Sequence, residues 1–369
     1  MDLELTETQQ ILQRTARDFL AKELSFRHVR ELETSPTGHT PELWARMADL
    51  GWLGLPFPSE YGGADGDLLD LAALVEEMGR AAAPTPYLPT IVSGLAVLHH
   101  GTEEQKRELL PRIARGELLL SPAIVEPGGG YRPESIEFVA RPDGGRYVLN
   151  GTKLFVEFGH IADFVLTAAR SDGALALFLV PPSTGDIMRR PMPTTGLERH
   201  TEIVFADVKA GLETLLGGPG DRSAALRDLI DLATAMTSVQ LAGIAQRTLE
   251  MSVEYVSMRV QFGRPIGSFQ AVQHHIANMA TLAAAARLAA YEAVWKLQQG
   301  IAKPADIAYA KAIANNAREV TMTAHQLHGG IGYMKEYDLQ FFSRAAASGA
   351  LRYGTTDDAL AEVERALGL

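Results

Sequence analysis

The sequence contains no cysteine among its 369 residues, and this absence excludes several kinds of chemistry. Without thiols the chain can form no disulfide, no thiolate metal site and no cysteine nucleophile. No apolar run reaches the roughly 18 residues of a membrane span. The acidic N-terminus lacks the basic and apolar stretches of a signal peptide. We therefore expect a cytoplasmic protein that does not enter a membrane.

Positive charge is also scarce. The chain has 34 basic and 45 acidic residues, for a formal net charge of -11. Phosphate backbones are bound by clustered lysine and arginine, so this balance argues against a nucleic-acid partner. The hydrophobic fraction of 46% and the charged fraction of 21% are typical of a globular chain with ample core.

Common chemical signatures are missing as well. There is no glycine-rich dinucleotide turn of the G-x-G-x-x-G form and no P-loop. The pairs His99-His100 and His274-His275 do not have metal-ligand spacing on a helix, so no metal is expected. Gly128-Gly129-Gly130 could be a phosphate loop, although an ordinary loop is the favoured interpretation.

The residue pattern changes along the chain, from helical to strand-like and back to helical. Residues 1–118 have the capping residues and 3.6-residue periodicity of helices. The predicted helices there begin at Thr6 and Thr40-Pro41 and span Leu68 to Arg80 and Thr102 to Arg115. Residues 221–369 are again helical, with predicted helices at Ala224 to Met258, Phe269 to Gln299 and Pro304 to His328, followed by shorter pieces.

The middle region, residues 119–220, has short alternating and β-branched runs separated by turn residues. The predicted strands are Ser121 to Val125, Ile136 to Ala140, Arg146 to Leu149, Phe164 to Ala169, Ala174 to Val180 and Glu202 to Phe205, with a linker at Gly217 to Gly220. The predicted fold class is therefore mainly α with an inserted β-barrel: a helical domain, a β domain and a helical bundle.

Six phrases spread over the whole chain point to a family. They are WARMADLGWLGLPFPSEYGG from Trp44, QKRELLPRIARGELLLSPAIVEP from Gln105, VLNGTK from Val148, RVQFGRPIGSFQ from Arg259, QLHGGIGYMKEY from Gln326, and Gly354-Thr355. In order and spacing they resemble the acyl-CoA dehydrogenase family, and the resemblance covers nearly the entire chain.

The resemblance implies a fold with N-terminal helices, a middle β-barrel and a C-terminal four-helix bundle. It also implies FAD, an acyl-CoA substrate and the introduction of an α,β double bond. In that reaction a carboxylate removes the α-proton while the flavin accepts a hydride. Electrons then pass to an electron-transferring flavoprotein or another acceptor. Each FAD of the family lies at a dimer interface, with its ring in one subunit and its ADP portion gripped by the neighbour.

By this resemblance the residues that grip the ADP portion are intact. Arg259 matches the arginine that meets the pyrophosphate, where a guanidinium fork suits phosphate oxygens. Taken alone, Arg259 could equally be a solvated charge at a helix end. The full set of expected cofactor-binding residues is Arg259, Phe262, Gly263, Phe269, Gln270, Gln326, Leu327, His328, Gly329, Gly330 and Thr355.

The residues expected around the flavin ring depart from the family pattern. Gly128 to Tyr131 replaces a Gly-Ala-Gly-Ser loop, and Val125 replaces a hydroxyl residue that bonds the ring. Glu157 stands where the family has Thr or Ser beside flavin N5. A carboxylate there opposes formation of the anionic reduced flavin and must itself be desolvated.

The catalytic base is missing too. The family's glutamate aligns with Tyr353, whose phenol has an ordinary pKa of about 10. A second position used by some members aligns near Ala233 and Thr234. Asp357 and Asp358 lie close by, but stabilisation of a helix N-terminus is their favoured role. No catalytic residue is therefore predicted.

The residues for the ADP portion are intact, whereas the ring positions are altered and the base is missing. This combination predicts a non-catalytic subunit of a heteromeric acyl-CoA dehydrogenase, an α2β2 tetramer whose partner carries the glutamate. In this it resembles the steroid side-chain dehydrogenases of actinobacteria. Two alternatives stay open at this point. One is a homomeric flavoenzyme with shifted chemistry, such as a reductase, a cyclase or an atypical dehydrogenase. The other is a flavin-free scaffold.

Overall fold

The computed structural model describes residues 4–182 and 186–368. Residues 1–3, which supply part of the acidic N-terminus noted above, lie outside it, as do 183–185 and 369. Helices come first, a β-sheet follows and helices return. The boundaries that we propose, after residues 118 and 220, fall in the connections on either side of the sheet region.

The N-terminal helices are α1 Glu7–Glu23, α2 Phe26–Thr34, α3 Pro41–Asp49, α4 Leu68–Arg80, α5 Tyr87–His100 and α6 Glu103–Ala114. Thr6 and Gln9 form a reciprocal capping box at the start of α1, as the sequence predicts. Helices α2 and α5 are absent from the prediction. Residues 87–97 of α5 are all buried, so this helix has no polar face and no amphipathic pattern.

The strands are β1 Leu120–Ala123, β2 Val139–Asp143, β3 Arg146–Glu157, β4 Phe164–Ser171, β5 Ala174–Val180, β6 Ile187–Met192 and β7 His200–Gly211. They form one sheet in the order β1-β4-β2-β3-β7-β6, with β5 paired to β4. Within the described residues the sheet is open, with β6 at one edge, so the expected barrel is a half-barrel. Strand β1 pairs with β4 in parallel, and β3 with β7 antiparallel.

A two-stranded hairpin and six helices complete the chain. They are α7 Ser223–Met258, β8 Val260–Gln261, β9 Arg264–Pro265, α8 Gln270–Gln298, α9 Pro304–Ala314, α10 Ala317–His328, α11 Leu339–Gly349 and α12 Thr356–Leu367. The predicted helix from Pro304 to His328 is wrong in one respect, because it is broken at Asn315 and Asn316. The Asn315 side-chain amide donates to the Thr356 hydroxyl instead of facing solvent (3.0 Å).

Helices α4 and α7 join the two helical regions at backbone contact distance. A Cβ atom at Gly79 would lie 2.1 Å from the Gln240 carbonyl oxygen, and one at Gly243 would lie 2.1 Å from the Glu76 carbonyl oxygen. A larger residue would separate the helices. This crossing holds the middle of α7, and the first third of the helix, before the crossing, forms one wall of the site described next. No helix in residues 4–182 and 186–368 is long and apolar enough to cross a membrane.

Candidate functional site

A cavity of about 1230 Å³ lies between the β-sheet and the C-terminal helices, and we call it the central cavity. Its walls come from the loop after β1, the end of β3, the first third of α7, α9, and the turn between α11 and α12. Residues far apart in sequence meet there: Val125, Tyr131, Glu157, Thr234 and Tyr353. These are the positions that the family resemblance assigns to the flavin ring and the base.

A buried ion pair holds the loop after β1 against β3. The Lys153 ammonium, fully buried, donates to Glu126 Oε1 (2.6 Å) and to the Ile124 carbonyl (3.1 Å). The other Glu126 oxygen accepts the backbone N–H groups of Glu137 and Phe138 (2.8 and 3.0 Å). Burial lowers the pKa of Lys153 to about 8, while Glu126 opposes that shift. The pair therefore fixes both ends of the loop that carries Tyr131.

The structure gives a steric reason for glycine at position 151, in the phrase VLNGTK. Its φ of +142° is one that side chains rarely adopt, and a Cβ there would lie 2.6 Å from the Phe138 ring. Glycine thus lets β3 pass directly under this ring. The Lys153 ammonium lies over the same ring, 4.9 Å from its centroid.

A second buried ion pair occupies the part of the central cavity assigned to the flavin ring. Arg352 Nη1 donates to Glu157 Oε2 (2.8 Å), and each residue is 7% exposed. Nη2 donates to Gln240 Oε1 (2.6 Å) and lies 3.8 Å from Glu198 Oε1. Burial alone would lower the pKa of Arg352, but Glu157 and Glu198 raise it above its usual value. The Glu157 carboxylate is therefore neutralised within this chain.

Sequence reasoning missed Arg352, Glu198 and Gln240. A usable signal existed, because a glutamate at the end of a buried strand requires a cationic partner. Nothing in the sequence, however, says which of the 34 basic residues supplies it.

Two tyrosines stand where the family's base and loop would lie. The rings of Tyr131 and Tyr353 are 5.0 Å apart between centroids. Burial raises the pKa of Tyr131 to about 12, partly offset by a hydrogen bond with the Tyr353 backbone. Burial and the nearby Glu157 raise the pKa of Tyr353 well above its usual value. Both phenols stay protonated at neutral pH, so neither can act as a base there. Tyr353 also has a φ of +56°, a strained value for a non-glycine residue.

The remaining carboxylates near Tyr353 have structural roles or lie apart from it. Asp358 accepts the Thr355 backbone N–H (2.9 Å) and hydroxyl (2.8 Å) in a capping box at the start of α12. The helix-stabilising role expected of Asp358 is thus confirmed.

Thr355 lines the central cavity, whereas the other ten expected cofactor residues do not. Asp231, on α7, also lines it, and burial, Asp228 and Glu362 raise its pKa to about 6.

Five of those ten residues lie on an exposed surface formed by the β8–β9 hairpin and the start of α8. Arg259 is exposed at the end of α7, and Phe262 is 92% exposed with a φ of +53°. Gly263 follows at the turn. Arg264 lies over the Phe269 ring, 4.1 Å from its centroid, and Gln270 is exposed.

The other five are the last three residues of α10 and the two glycines after it, and they fall into two groups. Gln326, Gly329 and Gly330 are exposed, and a Cβ at either glycine would meet no atom within 4 Å. Leu327 and His328 are buried, so their side chains cannot face a ligand. The Tyr255 hydroxyl, one turn before Arg259, donates to the His328 carbonyl (3.2 Å). This bond brings the two segments together, and we call the exposed residues of both segments the hairpin face.

The two regions differ in whether their residues suit FAD. On the hairpin face, an exposed guanidinium and open glycine backbone suit a diphosphate and its nucleoside. In the central cavity there is room for a flavin ring, but the groups do not fit it. Val125 offers no hydrogen-bonding side chain, and Glu157 and Arg352 bind each other. We therefore derive no reaction step through a flavin in this chain.

The fold, helical regions around a half-barrel with one cavity between sheet and bundle, is that of a flavin-dependent acyl-CoA oxidoreductase. Three models of the acyl-CoA dehydrogenase family match the chain: the N-terminal domain at residues 6–117, the middle domain at 121–208 and the C-terminal domain at 224–368. The chain is 33% identical to the probable acyl-CoA dehydrogenase YngJ of Bacillus subtilis, over 97% of each protein. It belongs to the acyl-CoA dehydrogenase family, whose members depend on FAD.

Two solved structures of high similarity carry the names of two components. The ChsE4-ChsE5 complex from Mycobacterium tuberculosis contains a chain that superposes with a TM-score of 0.93 at 28% identity, covering 100% of this chain and 99% of that one. A chain of a variant of the Tcur3481-Tcur3483 steroid ACAD gives a TM-score of 0.90 at 31% identity, with 98% of each chain covered.

Proposed function

We propose that this chain is the non-catalytic subunit of a heteromeric, FAD-dependent acyl-CoA dehydrogenase, assembled as an α2β2 tetramer. Its partner carries the catalytic glutamate and holds the flavin ring. This chain contributes the hairpin face, whose Arg259 contacts the pyrophosphate of the partner's FAD. The complex introduces an α,β double bond into an acyl-CoA, and an electron-transferring flavoprotein or another acceptor takes the electrons.

One observation carries the proposal. The position of the family's base holds a protonated phenol, Tyr353, and the buried Glu157–Arg352 pair lies next to it. Proton abstraction from an acyl-CoA needs a base that is ionised at the working pH. Asp231 is a carboxyl of the same cavity with a pKa of about 6, but the position of the family's base is held by Tyr353 and not by Asp231.

The kind of complex is supported by similarity. One similar solved structure is the ChsE4-ChsE5 complex, and a second is also named from two components, Tcur3481-Tcur3483. The second is described as a steroid ACAD, and on that similarity we extend the proposal to a bulky, steroid-derived acyl-CoA.

The test compares the purified chain with the same chain co-expressed with a family member that has a glutamate at the position of Tyr353. We expect the chain alone to be colourless and to turn over neither butyryl-CoA nor a steroid acyl-CoA. The co-purified complex should show the flavin spectrum, with one FAD for each pair of chains. Size-exclusion chromatography with light scattering should give the mass of a tetramer.

A contrary result is easily recognised. If the chain alone purifies with one FAD per chain and oxidises acyl-CoA at ordinary rates, about 1 per second or faster, it is a homomeric flavoenzyme. If the chain stays colourless, and the complex gains no flavin beyond that of the partner, it is a scaffold. Tyr353→Glu alone should not restore activity to the chain, because Glu157 and Tyr131 remain in the central cavity.

A further inference from the structure

The Glu157–Arg352 pair joins parts of the fold that a flavin ring would otherwise link. We propose that in this chain the pair takes the place of the flavin ring, fastening the β-sheet to the C-terminal helices and keeping free flavin out of the central cavity. The inference deepens the proposed function and rests on its assignment of the ring position.

The geometry has three attachment points. Glu157 is the last residue of β3, Arg352 lies in the turn between α11 and α12, and Gln240 is in the middle of α7. One guanidinium therefore bonds the sheet through Nη1 and the longest helix through Nη2 (2.8 and 2.6 Å). Glu198, just before β7, adds a second carboxylate 3.8 Å from the same nitrogen.

The attachment is closed to solvent, which distinguishes it from other links across the same boundary. The Arg344 side chain, about a third exposed, bonds the neutral carbonyls of Thr195 and Gly196 (2.7 and 3.3 Å). The carboxylate that pairs with Arg344, Glu33, belongs to the N-terminal helix α2, whereas Arg352 is only 7% exposed and bonds a carboxylate of the sheet itself, Glu157. Buried partners depend on each other, because removing one leaves an uncompensated charge in the interior.

The pair also explains how this half of the site can lack a bound flavin. Glu157 and Arg352 both line the central cavity beside Val125 and Tyr353. To bond either group, a flavin ring would have to separate the guanidinium from Glu157 and leave the carboxylate unpaired. The same contact that stabilises the chain therefore excludes the ring.

The first experiment measures coupling by thermal unfolding of the chain alone. Glu157→Gln and Arg352→Gln should each lower the melting temperature by about 5 °C or more. The double variant leaves Glu198 without its cation but no longer leaves Glu157 unpaired, so it should melt no lower than Arg352→Gln alone. The matched control is the Arg190–Glu202 pair of β6 and β7, whose arginine side chain is 58% exposed (3.3 Å). Its glutamine variants should shift the melting temperature by about 1 °C or less.

The second experiment tests the location with lumiflavin, which is the ring without the ADP portion. Wild-type chain should leave lumiflavin fluorescence unchanged, and the Glu157→Gln/Arg352→Gln variant should bind it at least tenfold more tightly. Additive melting shifts, or equal lumiflavin binding by both proteins, would overturn the inference. Neither readout depends on turnover or on a partner. The inference can therefore fail while the proposed function stands, whereas an isolated chain that is active with its own FAD would overturn both.

Discussion

The central cavity and the hairpin face are two halves of one family site, and they have diverged in opposite ways. In the cavity the family pattern is replaced, and the new groups bind one another: Glu157 with Arg352, and Tyr131 against Tyr353. On the hairpin face the family pattern is kept, and its residues bind almost nothing in their own chain. Arg259 and Phe262 are exposed, and Arg264 has only a ring contact.

The difference follows from burial. A carboxylate placed in a protein interior is tolerated only with a paired charge, so Glu157 depends on Arg352. An exposed arginine has no such requirement, since water solvates it. A surface that remains unpaired within its own chain, and keeps residues that suit phosphate, is best explained by a ligand that another molecule brings to it.

The largest effect should come from breaking the other buried pair beside the cavity. Lys153→Met leaves Glu126 buried without its cation, and we expect the free energy of unfolding to fall by about 3–5 kcal/mol. Thermal or urea unfolding of the chain alone measures this. The matched control on the hairpin face is Arg264→Met, which removes an exposed cation over the Phe269 ring. It should cost about 1 kcal/mol or less, and equal losses in both variants would contradict the contrast between the two regions.

The next prediction concerns the hairpin face, where a substitution should weaken cofactor binding and leave the stability of the chain unchanged. Arg259→Ala removes a charge-assisted contact worth about 1.5–3 kcal/mol. The FAD affinity of the complex should then fall by about tenfold or more, while the melting temperature of the isolated chain stays within about 1 °C of wild type. Glu157→Gln serves as the opposite case, with a lower melting temperature and little change in FAD affinity. FAD titration of the apo complexes compares them.

If Glu157→Gln abolished flavin binding and Arg259→Ala did not, this chain would hold its own flavin ring. The assignment of the two half-sites would then be wrong.

Much of the fold could be predicted from sequence where amphipathic periodicity was strong. Helix α4 begins and ends where Leu68 and Arg80 predict, and strand β5 has its predicted bounds. Prediction failed where that signal is missing. Helix α5 is buried on all sides, and β6 is an exposed edge strand containing Arg189, Arg190 and Pro191. Strand β3 runs eight residues past its predicted end, beyond Gly151, because glycine there serves a close approach and not a turn.

The site could be predicted as a set of positions but not as a set of contacts. Motif spacing brought Val125, Glu157 and Tyr353 to one place, and the central cavity contains all three. The partner of Glu157 could not be predicted, since Arg352 is 195 residues away and no local pattern links the two. The sequence did not indicate that His328 is buried, because its motif contains both exposed glycines and a buried histidine.

The smallest effect concerns Asp231, the carboxyl of the central cavity that has no ion pair to offset its burial among the contacts of the described residues. Its pKa of about 6 lies above the ordinary 3.8, so the folded chain favours the protonated form. The sign follows from linkage: no stability is lost below about pH 4, where the group is protonated in both states, and the loss is complete above about pH 6. Asp231→Asn removes this loss, and the variant should melt about 1–3 °C above wild type at pH 7.5 and equally with it at pH 4. Asp143→Asn, at the exposed last residue of β2, is the control and should change neither value. An equal gain in melting temperature at both pH values would mean that the Asp231 side chain acts through packing. The ionisation of Asp231 would then have no effect on the stability of the chain.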